Sequence, residues 1–189
     1  LAQKVSLRRQ ALEAAPFDPI VLETHAGEGL LYLQCYTGIQ KGWCFEKNKD
    51  LIIPMTEQRP HWWAYCGESE RILCDCPDGF DANFIDVDPH GSPWPVLESL
   101  FHPRRFSHDE IYLLIHDGSR RFLSVGGSGS SDQRWRQGLL AELANEFGDD
   151  LRTRYADIAQ VAISRLVKSC NYTVEKRLSF YTGHDKNST

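Results

Sequence analysis

The sequence predicts an α/β fold: a single doubly wound, mostly parallel sheet of the Rossmann-like kind. Two observations predict it. Five short apolar runs alternate with helical stretches along the chain, the order that βαβ units impose. The fifth run, "IYLLIHDG", is nearly continuous in apolar residues, as befits a strand covered on both faces. A third observation bounds the answer. At 189 residues the chain can bury one sizeable core but not two ordinary ones, so residues 1–189 are read as one domain.

The elements follow in order. Lys4 to Ala15 reads as a helix, with Val5, Leu7, Ala11, Leu12 and Ala15 tending to one side. Pro16 closes it, and "PIVLET" follows as a short buried strand. "HAGEG" is a glycine turn, after which Leu30 to Thr37 reads as an apolar helix closed by Gly38. "GWCFEKN" is the second strand, Leu51 to Arg59 a helix in spite of Pro54, and "HWWAYCGES" the third strand, bounded by Gly67. Trp62 and Trp63 are read there as strand packing. A polar stretch then leads to the fourth strand, "ANFIDVD", and "PWPVLESLF" opens a helix behind a proline, a favoured start. Beyond the fifth strand "SVGGSGSSDQ" reads as a flexible loop. Helices dominate from Trp135 to Cys170, with a break near Gly148, and "YTVEKRLSFY" alternates like a half-exposed strand.

A formal net charge of −5 and a pI near 5.8 argue against a strongly basic nucleic-acid surface. They leave room for a local basic patch such as Arg104-Arg105 or Arg120-Arg121. No apolar run approaches the roughly 20 residues that span a bilayer, so no membrane association is expected. The stretch "LAQKVSLRRQALEAA" lacks the apolar core of an export signal, so a cytoplasmic location is expected. None of the six cysteines forms a Cys-x-x-Cys pair, and Cys74-Asp75-Cys76 is too tight for a usual zinc knuckle. Reduced thiols and no metal site are expected.

In a doubly wound sheet, ligands bind outside the carboxyl ends of the strands, and the chemistry-bearing residues of this chain fall at those ends. After the first strand, Gly27 and Gly29 would let the backbone turn sharply and approach a ligand. A dinucleotide fingerprint needs a third glycine where Tyr32 stands. The loop also carries Glu23 and Glu28, which suit a cationic or amino-bearing ligand better than a phosphate. The second strand ends in Glu46, 17 residues after Gly29, an acid placed to accept hydrogen bonds from both hydroxyls of a ribose. The third ends in Cys66-Gly67-Glu68, where Glu68 could accept from an adenine amino group with Ser69 capping the next segment; Asp75 is the rival for that role. His25 and Lys47 stand in the same strand-end loops. The fourth strand ends in Asp88-Pro89, where proline fixes φ and stiffens the loop.

Taken together, the glycine turn, the two strand-end acids and the Asp-Pro, one βα unit apart, resemble a class I S-adenosylmethionine-dependent methyltransferase. The resemblance implies S-adenosyl-L-methionine as cofactor, lined by Glu23, His25, Gly27, Gly29, Glu46, Lys47, Glu68, Ser69 and Asp88. The acids of the first loop would face its positively charged methionine end. Enzymes of that superfamily that methylate exocyclic amines carry Asp, Asn or Ser followed by proline at the end of strand four. The string Asp88-Pro89-His90-Gly91-Ser92-Pro93-x-Pro95 is similar to the Asp-Pro-aromatic-Gly-Ser-Pro segment of tRNA (guanine-N2) dimethyltransferases, with His90 in place of the larger aromatic. "RTRYADIAQVAISRLVKSCNYTVEKRLSFY" is more loosely similar to the end of that family's catalytic domain. The resemblance implies methylation of guanine N2 in tRNA, with Asp88, Pro89 and His90 as the catalytic group.

Residue chemistry agrees with that implication. An aryl amine is a poor nucleophile because its lone pair is delocalised. Hydrogen bonds from its N–H groups to a carboxylate and a backbone carbonyl favour a pyramidal nitrogen and aim the lone pair. The readings that stand beside it are adenine N6 methylation of DNA or RNA, a catalytically inactive cofactor-binding subunit of another protein, and a nicotinamide-binding dehydrogenase. The dimethyltransferase family carries a further C-terminal domain that helps hold tRNA. A protein partner supplying substrate binding is therefore a further expectation.

Overall fold

The computed structural model describes residues 1–76, 79–102, 106–118, 138–147 and 154–175. Five parallel strands form one sheet: β1 (Val21–Glu23), β2 (Gly42–Glu46), β3 (Trp62–Cys66), β4 (Phe84–Val87) and β5 (Tyr112–Ile115). Their order is β3-β2-β1-β4-β5, so the winding reverses between β1 and β4. At that switch point the loops leaving the two strands part and open a crevice at their carboxyl ends. The helices are α1 (Ala2–Ala14), α2 (Lys49–Gln58), α3 (Ser69–Asp75), α4 (Trp94–Phe101), α5 (Leu139–Phe147) and α6 (Tyr155–Ser169), with a π-helical segment at Tyr32–Tyr36.

Successive strand residues point to opposite faces, and both faces are covered except over the edge strand β3, where Trp63 and Tyr65 are exposed. Leu22, Phe45, Ile85 and Val87 pack against apolar residues of α3, α4, α5 and α6. Val21, Cys44, Trp62, Phe84 and Leu114 pack on the other face with Ala11 of α1, Tyr32 and Tyr36 of the π segment and Met55 of α2. Each fully buried side chain of this size contributes roughly 1.5–3 kcal/mol. This two-sided burial is why the strands read as apolar runs.

Several local expectations need correction. The inward face of α1 is apolar only in part: Ala11 is buried and the half-exposed Leu7 and Leu12 pack on the same cluster, as expected, but Arg8 is buried among them. The segment after the glycine turn is helical but wound as π at Tyr32–Tyr36, which turns both tyrosines inward. Ser69–Asp75, expected as a polar stretch, is helix α3, too short at 7 residues for its Ile72 and Leu73 to make a visible period. Helix α2 does continue through Pro54 as expected, its ring exposed, behind an Asn48 cap whose side chain accepts from the Asp50 N–H at 3.1 Å. Tyr172–Glu175 is not strand. The remainder of that expected strand, the "SVGGSGSSDQ" loop, Arg104-Arg105 and Arg120-Arg121 lie outside the described residues.

Candidate active site

Strand β4 carries two acids, Asp86 inside the strand and Asp88 just past its end. Their spacing of two puts both on the face shared with Phe84, towards α1 and the π segment. A wholly buried carboxylate needs a cation and further donors. Asp86 is 0% exposed and has both. Arg8 Nε donates to its Oδ2 and Arg8 Nη2 to its Oδ1, each at 2.6 Å, and Tyr36 Oη donates to Oδ2 at 2.7 Å. Arg8 Nη2 also reaches Asp88 Oδ2 at 3.1 Å, and Lys4 Nζ donates to Asp88 Oδ1 at 2.6 Å. Burial works against the Arg8 charge, but Asp86, Tyr36 and Asp88 outweigh it and hold the guanidinium above its usual range.

The loop after β1 begins beside this network. Thr24 donates from its backbone N–H to the Asp86 carbonyl at 3.0 Å and from its hydroxyl at 3.2 Å. Gly27 and Gly29 then turn with φ of 52° and 78°, a region that glycine enters without strain. The Gly27 N–H donates to Glu46 Oε2 at 2.8 Å, which ties the end of β2 to the turn, and Asn48 N–H holds Oε1 at 2.7 Å. A side chain at Gly27 would meet no atom within 4 Å, so the turn is open above that residue. Lys47 and Glu68 form an exposed pair at 3.7 Å across the ends of β2 and β3. Asp75, at the far end of α3, pairs with Arg71 at 3.6 Å.

Two of the expected lining residues face elsewhere. Glu23 is 1% exposed, and its Oε2 accepts from Arg59 Nη2 at 2.9 Å under the glycine turn, so it turns no charge to the crevice. Burial, with Asp86 and Asp88 adding to it and Arg59 opposing, pushes its carboxyl up to about 8. The Arg59 guanidinium lies over the Tyr32 ring, 4.6 Å from its centre. Ser69 is also buried, its hydroxyl donating to the Thr24 carbonyl. Trp62 is strand packing, as expected, whereas Trp63 is 51% exposed and stacks on Trp43 with ring centres 5.4 Å apart.

His25 marks where the remaining residues converge. Its ring is half-buried, with Nδ1 at 2.9 Å from the Thr24 hydroxyl. Burial lowers its pKa to about 4, while the charges of Asp88, Glu46 and Glu68 raise it and Lys47 lowers it. The ends of β1, β2, β3 and β4 thus lie close enough for their charges to act on one ring. His116, after β5, joins from the far side. Burial lowers its pKa too, with Asp88 and Asp117 opposing and Lys4 and Arg8 contributing.

The Asp88 loop is braced. Pro89 is buried and His90 exposed. Gly118 N–H donates to the Gly91 carbonyl at 3.1 Å, and His116 N–H to the Val87 carbonyl at 2.8 Å. Tyr155 at the start of α6 receives the Trp94 indole N–H at 2.8 Å and donates to Asp117 Oδ2 at 2.6 Å. Sequence reasoning missed Arg8, Lys4, Tyr36 and Arg59. One signal was available: an aspartate inside an otherwise apolar strand demands a buried cation, and Lys4 and Arg8 lie four apart on one helix face.

No protein-family model matches the chain, and no curated protein matches it. Among solved structures it resembles "Putative methyltransferase yhhF from Escherichia coli", with a TM-score of 0.47 and 16% identity over 59% of this chain and 68% of that one. It also resembles Trm1 from Pyrococcus horikoshii, solved in complex with S-adenosyl-L-methionine, with a TM-score of 0.41 and 15% identity. That match covers 53% of this chain and spans only a third (33%) of the Trm1 chain.

Proposed function

We propose that the chain is an S-adenosylmethionine-dependent N-methyltransferase acting on an exocyclic amine of a nucleobase, guanine N2 of tRNA. One observation carries this reading. Asp88, a nearly buried carboxylate, ends β4 at the switch point, and its charge acts on His25 together with those of Glu68 and of Glu46, which is tied to the Gly27 turn.

The residues present suit that cofactor. Glu46 lies against an open glycine turn and offers the remaining lone pairs of both carboxylate oxygens to a ribose diol. Glu68, exposed at the end of β3, is the acceptor for an adenine amino group. When bound, the cofactor supplies a methyl group already activated on a sulfonium. The protein's own task is then to orient the nitrogen. Asp88 takes one N–H of the acceptor amine and the Pro89 carbonyl is the candidate for the other, which aims the lone pair along the transfer line. The Asp88 charge stabilises the positive charge that grows on nitrogen as the new bond forms. The methylated amine releases its proton to water.

The test is transfer of labelled methyl from S-adenosylmethionine to separate pools of unmodified tRNA, other RNA and DNA, followed by nucleoside mass spectrometry. Methylated guanine in tRNA is expected. Methyladenine in DNA with none in tRNA would keep the mechanism and overturn the substrate. Tighter binding of NADH than of S-adenosylmethionine would overturn the whole reading.

A further inference from the structure

We propose that helix α1 completes the acceptor site. Arg8 is a positioning residue that sets the orientation of Asp88. The Lys4 ammonium stands, in the free protein, where the substrate's amino nitrogen binds, and that nitrogen displaces it. The proposal rests on the role given to Asp88 above.

Geometry separates the two cations. Arg8 is locked: its planar fork holds both oxygens of the buried Asp86 at 2.6 Å, and Nη2 is shared with Asp88 Oδ2 at 3.1 Å. Its side chain is only 2% exposed, and it cannot turn without stranding Asp86. Arg8 therefore fixes one oxygen of Asp88, and with it the plane of the carboxylate. Among the described residues the Lys4 ammonium makes one hydrogen bond, to Asp88 Oδ1 at 2.6 Å, and its side chain is 32% exposed against 6% for Asp88. A point charge on a four-carbon stem can leave for water without disturbing anything else described in the network.

Charge gives a reason for it to leave. Asp86 and Asp88 are balanced by Arg8 and Lys4 while Lys4 is in place. An ammonium on Asp88 would cancel the charge that the acceptor nitrogen needs as it turns positive. Once Lys4 departs, Arg8 still neutralises Asp86, and the free oxygen of Asp88 faces the amine with its charge uncovered. A nitrogen bearing hydrogens at hydrogen-bond distance from Oδ1 is what the exocyclic amine must also present, so Lys4 occupies that place.

The experiment compares wild type, Lys4→Met and Arg8→Lys in single-turnover transfer of labelled methyl to unmodified tRNA at varied tRNA concentration, with thermal unfolding of each. For Lys4→Met the half-saturating tRNA concentration should fall about fivefold, because a partly exposed ion pair no longer has to open. For Arg8→Lys, which keeps the charge and loses the fork, the maximal rate should fall about 10–100-fold at unchanged half-saturation. If Arg8→Lys does not fold, Lys4→Met still decides. Unchanged or weaker tRNA binding in Lys4→Met, with an active wild type, overturns this proposal alone. A wild type that transfers nothing to tRNA overturns the reading of the site on which it rests.

Discussion

Asp88 carries the functional reading, and its neighbours make that reading testable. In the proposed function its carboxylate acts as charge develops on the acceptor, so its removal should make turnover suffer more than binding. Asp88→Ala is expected to lower single-turnover methyl transfer about 10²–10³-fold. Calorimetric affinity for S-adenosylmethionine should be nearly unchanged, and full activity would leave the β4 loop as packing. Glu46 predicts the complementary split. It holds the Gly27 N–H and faces the open turn, so Glu46→Ala should weaken cofactor binding by about 1–3 kcal/mol. Unchanged affinity would remove it from the site. The strand-end positions of Asp88 and Glu46 were both legible because each is an acid where a strand stops, and a charge there needs a reason. Glu23 stands at an equivalent position and misled, since its partner Arg59 lies 36 residues away at the end of α2.

At the scale of elements, the loop after β4 is shaped by the loop after β5. A Cβ on Gly118 would stand 2.9 Å from the Gly91 carbonyl oxygen, a backbone atom that cannot rotate away. Gly118→Ala should therefore push the Gly91 end of the Asp88 loop outward. Methyl transfer is expected to fall about tenfold or more, because small misplacements of an orienting group are costly. S-adenosylmethionine affinity, which the proposed site assigns to the loops after β1, β2 and β3, should hold. Equal loss of both would point to global damage. Gly42 at the head of β2 gives a stability counterpart. Its Cβ would lie 2.7 Å from the ring of Trp62, which is buried and bonded through Nε1 to the Ile39 carbonyl. Gly42→Ala should cost about 1–3 kcal/mol, read as a shift in the urea midpoint. Helix α3 shows why short elements escape sequence reading: a single apolar pair against the sheet leaves no period to count.

For the molecule as a whole, acid should weaken the fold through the crevice. His25 has its pKa held near 4 by burial, below the ordinary 6.5. The native state therefore binds its proton less readily than the unfolded chain does. The stability from keeping His25 neutral is complete above pH 6.5 and is lost as pH falls through about 4. His116, lowered by burial, acts with the same sign. Urea midpoints followed from pH 7 to pH 4 should fall in the wild type and fall less in His25→Gln. Parallel curves would show that His25 titrates as it does in the unfolded chain.

By itself the sequence determined the parallel doubly wound sheet and the stations of its strand-end residues. Strands buried on both faces must be apolar throughout, and charged or glycine residues at their ends break that run visibly. Helix α1 illustrates what only the tertiary structure decided. Its local pattern points Leu7, Ala11 and Leu12 inward, and they do pack on the sheet, but the fold also turns Lys4 and Arg8 to β4, because a buried Asp86 inside the sheet has to be neutralised. That requirement was written in "FIDVD", but the identity of the cation, 78 residues away, is a property of how α1 crosses the sheet. Which acid meets a backbone N–H and which meets an arginine was settled in the same way, by through-space distance that a one-dimensional pattern does not contain.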